Sequence, residues 1–359
     1  MHVLILGGSS DHRGGVEIFC ERAIQALGQR GHDQIAYMPT NTAYLTLNKM
    51  PRLLTGLLRL VRYSRLKPDI IWLQYVTLPD LIYLAAARAI GLRVLVTPHL
   101  GVNWRSQRGL LRRISTVILK CANRLALISK SQEEELMLPG AVPRSYIRTF
   151  LSPGYLNLDA CAPTRLSKEI RLIHASRLSE AKGTFDYIDM CSRLRDAGVS
   201  FHARIAGAGD AQIMAQLATR IEQADLGSRV ELLGRLEEGE LIDALRNSDV
   251  LVHLSRIDSY PLIVLESIAC SVFPVCLDLA GARNMIDTYD GHLVHGAQAV
   301  EQVVTFLRSI DHIDLGDRAN LAARQVIVDY SWPVCLDALD DALNMTVARR
   351  AVSAVPSPG

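Results

Sequence analysis

Short apolar runs recur along this chain, separated by longer stretches in which apolar residues return every three or four positions. The short runs predict strands and the longer ones helices. A first strand series reads HVLILG, QIAYM, IIWLQ, RVLVT, LALIS and YIRTF, and a second reads IRLIHAS, FHARIAG, VELLG, DVLVHLS and FPVCLDL. Helical stretches fall between them: VEIFCERAIQALGQRG, closing at Gly31, then FDYIDMCSRLRDAG, AQIMAQLATRIEQADLG and EGELIDALRNS. Strands alternating with helices predict parallel sheets covered by helices on both faces, and two series predict two doubly wound, Rossmann-like domains facing each other. The pattern breaks at SPGYLNLDACAPT (152–164), with a proline towards each end. The expected division is 1–158 and 159–330, followed by a helical stretch at 331–347 and a disordered tail at 348–359.

Length and composition agree with this picture. A chain of 359 residues, 49% of them hydrophobic, is long enough for two buried cores. The net charge of +2 conceals an asymmetry: residues 1–160 carry 20 Lys and Arg against 10 Asp and Glu, and the remainder carries 19 against 27. A basic half suggests a surface for anions, phospholipid or nucleic acid. The aromatic RNA-binding motifs are missing, as are zinc-ligand spacings and the phosphate-binding P-loop, so no nucleic-acid partner and no metal are expected. Cys20, Cys121, Cys161, Cys191, Cys270, Cys276 and Cys335 form no CxxC pair and read as reduced thiols of a cytosolic protein. The opening MHVLILGG reads as a strand, not a signal peptide. No apolar stretch reaches the ~18 residues of a membrane span. A cytoplasmic protein, at most peripheral on the inner face of a membrane, is the expectation.

Chemistry concentrates after residue 170. Arg177 and Lys182 lie in RLSEAKG, and Asp258 and Glu266 in DSYPLIVLE, each segment leaving a predicted strand and entering a predicted helix. Ligands of open α/β sheets bind at such strand ends. Two cations there can hold a diphosphate, and a carboxylate can hold ribose hydroxyls. Gly14 and Gly15 open the first long helix, where a backbone can approach a phosphate. Their spacing is not GxGxxG, which argues against a dinucleotide fold. Gly207 and Gly209 in IAGAGD, with Gly234 and Arg235 in LLGRL, are placed to wall a base pocket, or to form ordinary turns. Asp210 is placed to cap the next helix. For Asp258 a capping role stands open beside the ligand role. His99 ends an apolar strand, as a sugar contact or as a satisfied structural histidine.

In order and spacing these blocks, GGSSDHRGGVE, TPHLG, ALISKSQ, RLSEAKG, IAGAGD, LLGRL and Asp258-x7-Glu266, resemble the GT-B retaining glycosyltransferases of the large family 4 group. The resemblance runs from residue 2 to about residue 346. It implies two Rossmann-like domains around a central cleft, with the helix at 331–347 returning to the first. It implies a donor site for a nucleoside diphosphate sugar, UDP before GDP, and no cofactor. Arg177 and Lys182 match its diphosphate cations, Glu266 its ribose ligand, His99 a residue near the donor sugar, and Asp258 the position usually held by Glu. Ser271, Ala280 and Asn284 also depart from its usual residues. The implied reaction is metal-independent transfer to a glycan or lipid-linked acceptor in bacterial-type surface polysaccharide synthesis. An inactive nucleotide-sugar-binding scaffold, a GT-B epimerase and a Rossmann dehydrogenase are the alternatives. Asn103, Trp104 and Arg105 are candidate acceptor contacts. The basic segments 50–67 and 105–120, where Leu and Arg alternate at helical intervals, are candidates for an anionic membrane surface or for solvated helices.

Overall fold

A computed structural model describes residues 1–10, 14–31, 34–42, 50–100, 109–157 and 169–348. Two six-stranded sheets form the frame. The first contains β1 (His2–Leu6), β2 (Gln34–Met38), β3 (Ile70–Tyr75), β4 (Val94–Pro98), β5 (Arg124–Leu127) and β6 (Arg144–Tyr146), in the order β2-β1-β3-β4-β5-β6. The second contains β7 (Ile170–Ala175), β8 (Phe201–Ala206), β9 (Val230–Gly234), β10 (Val250–His253), β11 (Phe273–Leu277) and β12 (His292–Val294), in the order β12-β11-β10-β7-β8-β9. Every pairing is parallel. The two parallel-sheet domains are those of a GT-B architecture.

Helices cover both faces. In chain order they are α1 (Gly15–Gln29), α2 (Met50–Ser64), α3 (Asp80–Ala89), α4 (Gly109–Leu119) and α5 (Ser131–Glu135), then α6 (Thr184–Asp196), α7 (Ala211–Gln223), α8 (Glu238–Arg246) and α9 (Leu262–Ala269), and finally α10 (Ala280–Tyr289), α11 (Ala299–Arg308), α12 (His312–Asp329) and α13 (Trp332–Val347). Because side chains alternate along a strand, each sheet feeds two cores. Leu4, Leu6, Ile71 and Leu73 enter a core with α2 and α3, while Val3, Ile5, Ile70 and Trp72 face α1 and α13. That second core is continuous with Ile173 and Leu251 of the other sheet, so apolar packing joins the domains. Helix α13 seals the junction. The Trp332 indole donates to the Leu151 carbonyl at 2.7 Å, and Arg30 of α1 pairs with Asp337 and Asp340.

Three details differ from the sequence reading. The last strand of the first sheet is Arg144–Tyr146, so YIRTF contributes only its first residue. A sixth strand, His292–Val294, extends the second sheet at its edge. Glu266 lies within α9 and not in the loop before it. The tail from residue 349 and Cys161 lie outside the described residues. The described cysteines are unbridged, and five of the six are buried. No helix among the described residues is long and apolar enough to cross a membrane.

Ser271 stands where the resembling family commonly has Gly. Its φ is +59°, a left-handed conformation that favours glycine, and its hydroxyl is buried without a partner. Ser271→Gly is expected to raise unfolding free energy by about 1 kcal/mol, as relief of backbone strain outweighs the added entropy of the unfolded glycine. Denaturant melts of the two proteins check this; a loss of stability would contradict it.

Candidate active site

In both sheets the strand order reverses beside the first strand. The switch points lie between β1 and β3 and between β7 and β10. Open α/β sheets bind ligands outside the carboxyl ends of strands at such points. Lys182 follows β7 and Asp258 follows β10, so the two loops flanking the second switch point carry them. The Lys182 ammonium and the Asp258 carboxylate form an ion pair there.

A buried histidine supports each loop. His174, near the end of β7, donates from Nδ1 to the Val252 carbonyl at 3.2 Å. Its Nε2 accepts from the Ser176 hydroxyl at 3.0 Å and, more weakly, from Thr184 at 3.4 Å. Burial lowers its pKa to about 4, so it is neutral near pH 7. Gly183 then turns the loop with φ +76°, where a Cβ would lie 2.6 Å from the Leu254 carbonyl oxygen. Lys182 is thereby held against the exit of β10. His253, at the end of β10, donates from Nε2 to Asp258 at 2.9 Å, and its Nδ1 is buried without a partner. Burial works to raise the Asp258 pKa, but the His253 hydrogen bond and the charges of His253 and Lys182 outweigh it and hold the carboxyl well below the usual range. Asp258 therefore bridges Lys182 and His253 and caps no helix. His253 was missed in the sequence because an apolar run around a histidine reads as core; only its distance of five residues from Asp258 hinted at more.

The opposite wall comes from the first domain. A cavity of about 420 Å³ is lined by Gly15, His99 and Gln132 on that side and by Lys182, His253 and Asp258 on the other. His99 Nε2 lies 2.8 Å from Gln74 Oε1, and with a carbonyl oxygen as acceptor that nitrogen carries the hydrogen. Its ring stands edge-on to Phe19, with centroids 5.3 Å apart. Burial lowers its pKa to about 4, so at neutral pH it offers an unprotonated Nδ1.

Other sequence candidates lie elsewhere. Arg177 is exposed and lines a second cavity of about 840 Å³ with Gly209 and Arg256. Arg177 and Lys182 thus face different cavities. Gly14 N–H is already taken by Glu17 at 2.9 Å, and the other Glu17 oxygen accepts from Ser9 N–H at 2.7 Å. Glu17 thus takes the Gly14 amide in a capping box, while Gly15 lines the interdomain cavity. Gly207 packs against β7: a Cβ there would lie 1.8 Å from the Ser176 oxygen. Gly234 and Arg235 line neither cavity, and Arg235 is exposed. Asp210 caps α7 through a 2.8 Å bond from Ile213 N–H. Among the described residues no group of three His, Cys, Asp or Glu could hold a metal. Asn103, Trp104 and Arg105 lie outside the described residues.

Glu266 lines neither cavity. Burial raises its pKa from 4.5 to about 7, the Arg22 charge opposing and the Glu238 charge adding to that rise. Arg22 of α1 pairs with Glu238 of α8 at 2.6 Å and donates to the Phe150 carbonyl at 3.0 Å. Nearby, Asn284 of α10 accepts from Ser129 of the first domain at 3.2 Å. Asn284 and Glu238 thus each tie the second domain to the first, which no sequence spacing revealed.

Known proteins share both halves of this arrangement. The family described as "Glycosyl transferase 4-like domain" matches residues 12–149, and "Glycosyl transferases group 1" matches residues 162–319. The putative colanic acid biosynthesis glycosyltransferase WcaL of Salmonella typhimurium is 28% identical over 171 residues, covering 45% of this chain and 42% of the relative. The amylovoran biosynthesis glycosyltransferase AmsK of Erwinia amylovora is 29% identical over 142 residues, covering 38% and 33%. The chain thus spans less than half the length of these curated relatives. Among solved structures, Anabaena HepE in complex with UDP and glucose superposes with a TM-score of 0.73 at 15% identity, over 96% of this chain and 100% of that one. A Rickettsia africae glycosyltransferase superposes with a TM-score of 0.77 at 16% identity, over 97% and 99%. At such identities the likeness is one of fold.

Proposed function

As a chain built from the two glycosyltransferase domains of the GT-B fold, this protein, we propose, moves a sugar from a nucleoside diphosphate sugar to a glycan or lipid-linked acceptor in surface polysaccharide assembly. The observation that carries the reading is the meeting of His99, Lys182 and Asp258 at one interdomain cavity beside the second switch point. The relatives named for colanic acid and amylovoran biosynthesis support the class of product, and the UDP-bound fold relative supports UDP as the donor nucleotide.

In this reading the donor diphosphate lies over the 176–183 loop. The bond between the anomeric carbon and the phosphate oxygen breaks, and the acceptor oxygen attacks from the same face, giving retention. Its proton passes to the departing phosphate. Lys182 offsets the charge that grows on the leaving group, which is electrostatic stabilisation of the transition state. His99, neutral and hydrogen-bonded to Gln74, presents an acceptor to a sugar hydroxyl. Arg177 reaches the donor from the adjoining cavity. Transfer is expected to persist in excess EDTA; loss with rescue by magnesium or manganese would contradict cationic side chains as the diphosphate ligand.

Glu266 is the proposed ribose ligand, and its titration gives a second test. Between its unfolded pKa of 4.5 and its raised value of about 7 the folded chain holds more protons than the unfolded one, so this group costs stability as pH rises through that window. Ribose hydroxyls donating to the carboxylate favour its ionised form. UDP binding near pH 7 should therefore release protons, seen as a buffer-dependent heat, and Glu266→Gln should abolish the release. Equal heats in all buffers for the parent protein would contradict the assignment.

The acceptor side is proposed to rest on an anionic membrane. Helix α2 exposes Met50, Leu54, Leu58 and Val61, and α4 exposes Leu110, Ile114 and Val117, with arginines beside both stripes and no acid on either helix. Exposed leucines flanked by arginines suit an interfacial helix.

A further inference from the structure

Helix α2 has three faces, not two. At about 100° per residue its buried positions Leu53, Gly56 and Leu60 share one side, and its exposed apolar residues a second. Arg52, Arg59 and Arg62 mark a third. This arginine face does not look out on open solvent alone. Arg59, Arg62 and Arg65 line a cavity of about 700 Å³ between α2 and the edge strand β2, floored by Tyr37, Met38 and Pro39 and flanked by Tyr63.

The three guanidinium groups make no ion pair or side-chain hydrogen bond among the described residues, and neither does the Tyr63 hydroxyl. Some other arginines, among them Arg22, Arg171, Arg256 and Arg318, each hold a carboxylate. Residues 50–67 contain no Asp or Glu, so the helix supplies no counter-charge of its own. Three guanidinium groups lining one concave space have the chemistry to hold a phosphate, to whose oxygens guanidinium donates in parallel pairs. The exposed stripe of Leu54, Leu58 and Val61 lies on the neighbouring face of the same helix, where it would meet acyl chains while arginines reach the headgroup level.

Resting on the membrane reading above, we propose that the cavity between α2 and β2 is a binding site for the phosphate of an anionic lipid headgroup, held by Arg59, Arg62 and Arg65. The site lies on the first domain, apart from the interdomain cavity, and binds lipid in addition to donor. Its occupant is a lipid and not a free phosphate compound because charge and apolar surface adjoin on one helix.

Short-chain phosphatidic acid, kept below its micelle concentration, tests the site in the full chain by calorimetric titration. Saturable one-to-one binding is expected. The double variant Arg59→Gln/Arg62→Gln should weaken it by about tenfold or more. Arg52→Gln, on the same helix face but outside the cavity, should change it by less than about twofold. Absence of saturable binding, or equal losses for Arg52→Gln and the double variant, would overturn the site. Glycerol 3-phosphate bound as tightly as the lipid would overturn the lipid assignment. Sedimentation with phosphatidylcholine vesicles, with and without phosphatidylglycerol, and with Leu54→Ser/Leu58→Ser as a comparison, tests the membrane reading separately. Binding to anionic vesicles that is unaffected by the double variant leaves the membrane reading standing and sinks the pocket. Circular dichroism melts of each variant exclude unfolding as the cause of a loss.

Discussion

Lys182→Ala is expected to lower turnover at saturating donor and acceptor by about 100- to 1000-fold, or about 2.7–4 kcal/mol of transition-state stabilisation. The ammonium sits on a loop fixed by the neutral His174 and by the turn at Gly183, and it lines the interdomain cavity. It is paired with Asp258. As the glycosidic bond breaks, negative charge gathers on the diphosphate, and a cation already held in place stabilises it without reorganisation. Donor affinity should fall less than turnover, because the charge is greatest in the transition state. Glu266→Ala should show the reverse, since ribose contacts exist in both states. Rapid-quench measurement of nucleotide release, beside donor titration, separates the two. Near-normal turnover for Lys182→Ala would remove Lys182 from the diphosphate site. Melts must accompany the assay, because removing Lys182 leaves Asp258 with His253 as its remaining partner.

Gly207→Ala is expected to cost roughly 3 kcal/mol of stability, from an overpacked contact together with backbone strain. Its φ is +140°, and a Cβ would lie 1.8 Å from the Ser176 oxygen and 3.0 Å from the Ser176 carbonyl carbon. Neither atom can swing aside, since both belong to the backbone leaving β7. The Gly207 N–H also donates to the Gly234 carbonyl at 2.7 Å, which ties the exits of β8 and β9 together. Relief would require the exits of β7 and β8 to separate, and the first of these leads into the Lys182 loop. Urea melts of the purified variant check the magnitude. Unchanged stability with weakened nucleotide binding would mean that Gly207 meets ligand and not Ser176.

Much of this architecture was legible because parallel strands buried between helices leave long apolar runs. The strand at His292–Val294 escaped notice because three edge residues carry no such signal. The placement of candidate residues was legible where it followed strand ends: Lys182 after β7 and Asp258 after β10 needed only the alternation of strands and helices. What linear spacing could not convey was direction. Arg177 lies five residues before Lys182 yet lines a different cavity. Gly14 and Gly15 open α1 as expected, but Glu17 folds back onto the Gly14 amide from one turn later. Glu266, eight residues after Asp258, sits inside α9 and is set by Arg22 and Glu238 from distant segments. His253 looked apolar by company, and only the folded loop brings Asp258 to its Nε2.

These placements also bear on the shorter acid at position 258. Its two oxygens are engaged by Lys182 and His253. The direct test of a donor site in this cleft is calorimetric titration of UDP into the parent protein, Lys182→Ala and Glu266→Ala. Saturable one-to-one binding is expected for the parent. Affinity should fall by about tenfold or more for Glu266→Ala, and less for Lys182→Ala. Absence of binding by UDP and by GDP, or binding untouched by both substitutions, would contradict a nucleotide site built from these residues.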